Sequence, residues 1–195
     1  METSSKEYKE HLENKYLPGR ALYLRTFFYP KIYKYFKDGD IFDLGFGTGE
    51  FLFYCKSKGR KIIGIDSNTY LVKMIKDMGY DVEVDDVTKL DTIHTPMKNA
   101  IIDNVLEHLD KNQINSFFKV TSSKMAKGGT LVVIVPDSKG YERDPTHKTF
   151  VNKTIIKEMC EKHGCTLSEN FLHPFNMGFM GRILYLNMQV FIIKF

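Results

Sequence analysis

The chain has 195 residues, of which 43% are hydrophobic and 27% charged, with a formal net charge of +4. That length suits one domain with a real core, and no apolar run approaches the roughly 18 residues of a membrane span. The start, METSSKEYKE, lacks the apolar stretch of a secretory signal, so a cytoplasmic setting is expected.

The elements follow in chain order. RALYLRTFFYPKIYKYF is apolar and aromatic and is cut by Pro30, which predicts a helix, a break and a second helix. GDIFDLGFG is a short apolar strand entering a glycine turn. GTGEFLFYCKSKG reads as a helix closed by Gly59, and KIIGID as a second strand. NTYLVKMIKDMG places Leu71, Met74, Ile75 and Met78 on one helical stripe. YDVEVDD is a short alternating strand, and NAIIDNV is another, entered after Pro96. DKNQINSFFKVTSSKMAKGG puts Ile114, Phe117, Phe118 and Met125 on one helical side and ends in Gly-Gly. TLVVIVP lacks alternation, as a central parallel strand buried on both faces would. NKTIIKEMCEKHG is helical, with Ile155–Met159 and Ile156–Cys160 pairs. ILYLNMQVFIIKF predicts one or two strands, the last of them antiparallel. Strands alternating with helices predict a three-layer α/β domain with a mostly parallel sheet.

Ligands of such sheets bind beyond the carboxyl ends of the strands. The first exit gives Asp43, Gly45, Gly47 and Gly49. Glycines let a ligand approach the backbone, and the helix that follows offers free N–H groups. The second exit gives Asp66, placed to accept both hydroxyls of a ribose. The third gives Asp86, preferred over its neighbour Asp85 by strand alternation. The fourth gives Asn104, Glu107 and His108. The dinucleotide fingerprint G-x-G-x-x-G is not met, since the third glycine comes one place early and Glu50 would oppose a pyrophosphate. A ligand with one ribose and no phosphate fits better.

IFDLGFGTGEFL, IIGIDSN, VEVDDVTKL and AIIDNVLEHL together resemble the successive motifs of class I S-adenosylmethionine-dependent methyltransferases, in order and spacing. The resemblance implies a three-layer Rossmann-like fold with a seven-stranded, mostly parallel sheet and an antiparallel last strand. It also implies S-adenosyl-L-methionine as cofactor. On it, Asp43, Gly45, the Phe46 backbone and Gly47 resemble the turn beneath the methionine part of the cofactor. Asp66 resembles the ribose clamp, Ser67 and Asn68 the neighbours of the adenine, Asp86 and Val87 the residues facing the adenine edge. Asn104 resembles the position whose backbone lies by the methionine moiety. The expected layout is a helical lead-in or lid over 1–36, with Tyr8, Tyr16, Arg20 and Arg25 as contact candidates. A methyltransferase domain over 37–195 follows it.

The loop SKGYERDPTHKTF after the fifth strand resembles a segment of small sugar and natural-product methyltransferases. Its His147 is a candidate base for an attacking hydroxyl or amine. Asp144 would orient that ring, and Arg143 would meet an anionic substrate. His108 is a further candidate on the substrate side. Asp137, Asp144 and His147 are of metal-ligating type, but any loop this polar offers as much, and no metal is assigned. His173 in FLHPFNMGFMGR reads as a core or lid histidine. Cys55, Cys160 and Cys165 have no metal-ligand spacing.

The expected reaction is methyl transfer to an oxygen of a small, anionic or sugar-linked acceptor. The lysines are interspersed and form no long basic block, which argues against a nucleic-acid partner. Methylation of RNA or protein, and a non-catalytic cofactor-binding module, stay open as alternatives at this stage.

Overall fold

The computed structural model describes residues 18–174 and 187–195. Tyr8, Tyr16 and the NMGFMG segment lie outside the described residues, as does the side chain of Arg20. The described chain begins with α1 (Pro18–Tyr23), one π-helical turn (Leu24–Phe28) and α2 (Tyr29–Tyr33). There follow β1 (Ile41–Leu44), α3 (Glu50–Ser57), β2 (Ile62–Asp66), α4 (Thr69–Asp77) and β3 (Val82–Val84). Next come β4 (Met97–Asp103), a 3-10 turn (Leu106–His108), α5 (Lys111–Lys124) and β5 (Met125–Pro136). The chain closes with α6 (Ser138–Glu142), α7 (Lys153–His163), β6 (Thr166–His173) and β7 (Met188–Lys194).

The strands make one seven-stranded sheet in the order β3-β2-β1-β4-β5-β7-β6. β1 to β5 pair in parallel, whereas β7 runs antiparallel to both β5 and β6. The unbroken apolar run of β5 is explained by two cores. Leu131, Val133 and Val135 pack into one with Phe117, Phe118 and Ile156. Val132 and Ile134 point the other way, into a second core with Phe28, Tyr29, Phe51 and Leu52. Alternate residues of a strand face opposite sides, so a centre strand with helices on both faces has no polar side to show.

Side-chain caps set where the helices begin. Asn68 accepts from the Tyr70 and Leu71 N–H groups at the start of α4, and Asn152 does the same for α7. Asp110 and Gln113 form a reciprocal capping box at α5.

Two sequence expectations need correction, and one strand goes unread in the sequence. Pro30 does not separate two helices by a gap. It sits in the first turn of α2, where its missing N–H costs nothing, and the π-helical turn before it absorbs the misfit. The helix expected to reach Gly128-Gly129 stops at Lys124. Met125 already pairs with Met97, and the register shifts before Thr130 meets Asn99. A bulge therefore takes up the glycines. β6 is not legible, because TLSENFLH is an edge strand with half of its residues exposed and no apolar alternation.

The described part of the lead-in contributes to the core. Leu24, Phe28, Tyr29 and Ile32 are all buried in the second cluster. His173 at the end of β6 is tied to it by a 2.7 Å contact between Tyr23 Oη and His173 Nε2.

Candidate cofactor and acceptor site

β1, β2 and β4 are neighbours in the sheet, and their carboxyl ends carry Asp43, Asp66 and Asp103. The chain leaves β1 by a turn in which Gly45, Gly47 and Gly49 all have positive φ. At Gly45, with φ +83°, a Cβ would lie 2.6 Å from a Val105 methyl. Glycine is required there on both counts. The Gly45 N–H donates to the Ile65 carbonyl at 2.7 Å, which folds the turn toward β2.

That turn meets Asp66. The Gly47 N–H donates to Asp66 Oδ2 at 2.9 Å, and the Asn68 N–H donates to Oδ1 at 2.8 Å. Each carboxylate oxygen has two acceptor sites, so one on each remains for a ligand. The Phe46 ring turns into the core and packs over Gly64, where a Cβ would lie 2.7 Å from the ring. Asn68 is fully buried and spends its side chain on capping α4.

The two adjacent acids after β3 have separate tasks. Asp85 is buried and braces the loop, accepting from the Thr92 N–H and hydroxyl and from the Asp86 N–H. Asp86 accepts from the Thr88 N–H and hydroxyl through Oδ1. Asp86 and Val87 stand on the wall of a cavity of about 400 Å³, and Asp85 stands behind it.

The same wall includes Asp43, Gly45, Phe46, Gly47, Asp66, Ser67, Asn104 and His108. Among the described residues five carboxylates line the cavity, Asp43, Glu50, Asp66, Asp86 and Asp103, against one lysine, Lys148. Two of them, Asp43 and Asp66, are shifted by their surroundings. Burial pushes Asp43 well above the usual carboxylate range, and the Asp103 and Asp66 charges push it further. Burial also raises Asp66, against the pull of the Asn68 and Gly47 N–H groups. Glu50 is buried, and neither of its carboxylate oxygens has a hydrogen-bond partner. The Arg25 Nε lies 3.7 Å from its Oε2. The arginine therefore reaches the edge of the cavity through Glu50.

The far end of the cavity is built on β4. Asn104 has φ +53°, donates its N–H to the Ile134 carbonyl at 2.9 Å, and donates its side-chain amide to Asp103 at 2.6 Å. The 3-10 turn after it carries Glu107 and His108. The loop after β5 is clamped onto that turn. The Lys148 and Thr149 N–H groups both donate to the Glu107 carbonyl, at 2.7 and 3.1 Å, and the Thr149 hydroxyl donates to the Leu109 carbonyl at 2.8 Å.

This clamp brings the His147 ring edge-on to the His108 ring, with centroids 4.8 Å apart. The His147 Nδ1–H donates to the Tyr141 carbonyl at 2.7 Å, and the ring stacks on Tyr141. Asp144 accepts from the Thr146 N–H and hydroxyl at 2.9 and 2.6 Å, and that hydroxyl lies 3.1 Å from His108 Nδ1. Asp144 thus supports His108, where the sequence suggested His147. Asp144, Arg143 and His147 are not among the residues lining the cavity, and Arg143 is exposed. Asp137 is set apart from them, capping α6 and bonded by Asn187.

Sequence reasoning did not single out Tyr29, Asp103, Gln113 or Lys148, which also line the cavity. Asp103 was within reach, as the acid next to Asn104 at a strand end. Tyr29 carries no such signal, because an aromatic in a lead-in helix reads as core.

Among the described residues no helix is long and apolar enough to cross a membrane. The family profile described as "Methyltransferase domain" matches residues 8–170. No curated protein matches the chain. Solved structures share its fold. A SAM-dependent methyltransferase from Archaeoglobus fulgidus superposes with a TM-score of 0.70 at 20% identity, over 90% of this chain and 94% of that one. An S-adenosylmethionine-dependent methyltransferase from Clostridium acetobutylicum gives 0.69 at 12% identity, over 96% and 98%. The glycopeptide N-methyltransferase MtfA in complex with (S)-adenosyl-L-methionine gives 0.67 at 9%, over 84% of each chain.

Proposed function

The chain belongs to the methyltransferase domain family, and from that premise we propose that it moves the methyl group of S-adenosyl-L-methionine to an oxygen of a small, anionic or sugar-linked acceptor. The observation that carries this reading is the ring of carboxylates at the strand tips. A cavity lined, among the described residues, by five acids and one lysine suits a ligand that brings a sulfonium and an ammonium, and disfavours a pyrophosphate. Bound there, the cofactor supplies a methyl already activated by its sulfur.

Asp66 holds the ribose through the lone pair left on each oxygen. Ser67, Asp86 and Val87 border the base, and Asn68 keeps the Asp66 turn in shape. Asp43, the Gly45–Gly47 turn and Asn104 border the methionine part. The acceptor lies at the β4 end, beside His108 and Lys148. Lys148 on the wall and Arg143 outside it favour an anionic group. The acceptor proton leaves toward the imidazoles of this end, His108 in front and His147 behind, with Asp144 steadying His108 through Thr146. Holding the acceptor oxygen in line with the methyl contributes much of the rate, so a strong dyad is not demanded. Residues 37–195 form the cofactor-binding domain in this reading, and 1–36 its lead-in and lid. A cytoplasmic setting agrees with three buried, free cysteines.

Calorimetry with S-adenosylhomocysteine tests the reading. One saturable site is expected, with no heat from NAD under the same conditions. No binding of the demethylated cofactor, or tighter binding of NAD, would sink it. Transfer of labelled methyl to hydroxylated small acids and sugars, in preference to RNA and protein, tests the acceptor class.

A further inference from the structure

Glu107, His108 and His147 each offer one ligand atom, and the three atoms lie within 4.8 Å of one another. The residues come from two segments, the turn after β4 and the loop after β5. They meet only because that loop is clamped by its backbone to the Glu107 carbonyl. We propose that this trio is a site for a first-row divalent cation of the zinc type, placed at the acceptor end of the cavity.

Three observations support it. The first is the tautomers. The Tyr141 carbonyl can only accept, so His147 Nδ1 bears the proton and its Nε2 bears the lone pair. The Thr146 hydroxyl gives its proton to Asp144, so it accepts from His108 Nδ1 at 3.1 Å, and the His108 lone pair is also on Nε2. A second partner that fixes the ring and its tautomer is what metal-binding histidines have. The second is Glu107. It is 1% exposed, and its Oε2 has no hydrogen-bond partner. A carboxylate so enclosed costs stability unless a proton or a cation compensates it. Its other oxygen lies 4.0 Å from His147 Nε2, too far for a hydrogen bond between them.

The third is size. One pair is 4.0 Å apart and none exceeds 4.8 Å, and a point equidistant from three atoms at that upper limit lies about 2.8 Å from each. Bonds of about 2.0–2.2 Å to nitrogen and carboxylate oxygen then need the atoms to draw in by roughly half an ångström. Two imidazoles and one carboxylate are a borderline donor set that leaves a coordination position open. His108 belongs both to the trio and to the cavity wall, so the open side borders the acceptor. A cation there would lower the pKa of a coordinated acceptor hydroxyl. With the ion in place both imidazole lone pairs are taken up by it, so the ionised hydroxyl loses its proton to solvent and the imidazoles serve as bases only in the ion-free protein. This last role rests on the methyl-transfer reading; the site itself does not.

The test is zinc binding by the chelator-treated full-length protein, followed by competition with a chromophoric chelator and by elemental analysis. One equivalent of zinc is expected. Glu107→Gln and His147→Ala should each weaken it by on the order of 100-fold or more. S-adenosylhomocysteine affinity should change by less than about 3-fold in the same variants, which separates failure of the metal site from failure of the cofactor reading. Cobalt titrated into the unaltered protein gives a check that does not depend on the variants folding. A saturable visible band at one equivalent is expected. No saturable binding of either ion to the unaltered protein, or unchanged binding in both folded variants, would overturn the site.

Discussion

Replacing Asp66 by Ala tests the centre of the cofactor reading. In the structure each Asp66 oxygen accepts one backbone N–H, from Gly47 or Asn68, and keeps one lone pair for a ribose hydroxyl. A hydrogen bond to a charged group contributes about 1.5–3 kcal/mol. Taking the low end for two such bonds, the loss is about 3 kcal/mol, or roughly 150-fold in affinity. The substitution also cuts the clip between the Gly47 turn and α4, so affinity alone would not separate ribose contact from turn collapse. A cycle with the ligand does. Removing one ribose hydroxyl from S-adenosylhomocysteine should cost the unaltered protein about 1.5 kcal/mol, roughly 12-fold. It should cost the Asp66→Ala variant nothing further. Titration calorimetry on the four combinations reads the coupling directly. An equal penalty for the deoxy ligand in both proteins would refute the clamp, however much the variant weakened binding.

Gly45→Ala forces a side chain to φ +83° and within 2.6 Å of Val105. We expect about 2–3 kcal/mol of destabilisation, seen as a Tm lower by about 4–12 °C; an unchanged Tm would contradict the close packing of that turn. Burial and the neighbouring Asp103 and Asp66 charges hold Asp43 above the usual carboxylate range, and a bound cation reverses this. Cationic S-adenosylmethionine should therefore release protons on binding and bind more tightly as pH rises from about 4. S-adenosylhomocysteine should gain less. Identical pH dependence of the two ligands in calorimetry would remove the acid ring from recognition. Burial, aided by Lys31, lowers His173 to about 4, so its contribution to stability is complete above its unfolded value of about 6.5 and is lost as pH falls through 4. His173→Gln should flatten the acid side of the Tm profile over that window, and an unaltered slope would contradict the assignment. His147→Ala should slow turnover by about 100-fold with cofactor affinity kept; equal turnover would exclude it from the chemistry.

The sequence revealed the parts whose chemistry is local. Gly45, Gly47 and Asp66 announce themselves because a tight turn and a strand-end acid leave few other residue types. β5 was readable because burial on both faces removes polar residues altogether. The choice of Asp86 over Asp85 followed from strand alternation. What could not be read depends on long-range assembly. Tyr29 reaches the cavity only because the lead-in packs into the second core. The grouping of Glu107 with His147 depends on hydrogen bonds between segments some forty residues apart, so the set suggested by local spacing, Asp137, Asp144 and His147, is not the set that assembles. β6 was missed because an edge strand is half in water. The end of α5 was overrun because Met125 continues the helical stripe until its strand partner claims it.

The clamp between the Glu107 carbonyl and residues 148 and 149 divides the cavity by origin. In the proposed reading the nucleoside is held by the first three strand exits. The opposite mouth comes from the fourth strand exit and the start of α5, with Lys148 added by a segment after β5 that is fastened at two carbonyls through bonds that no side-chain identity controls, apart from one threonine. Such a fastening tolerates exchange of the intervening residues. On the same reading, changes within this one loop would alter the side beside Lys148 while the nucleoside half stays as it is.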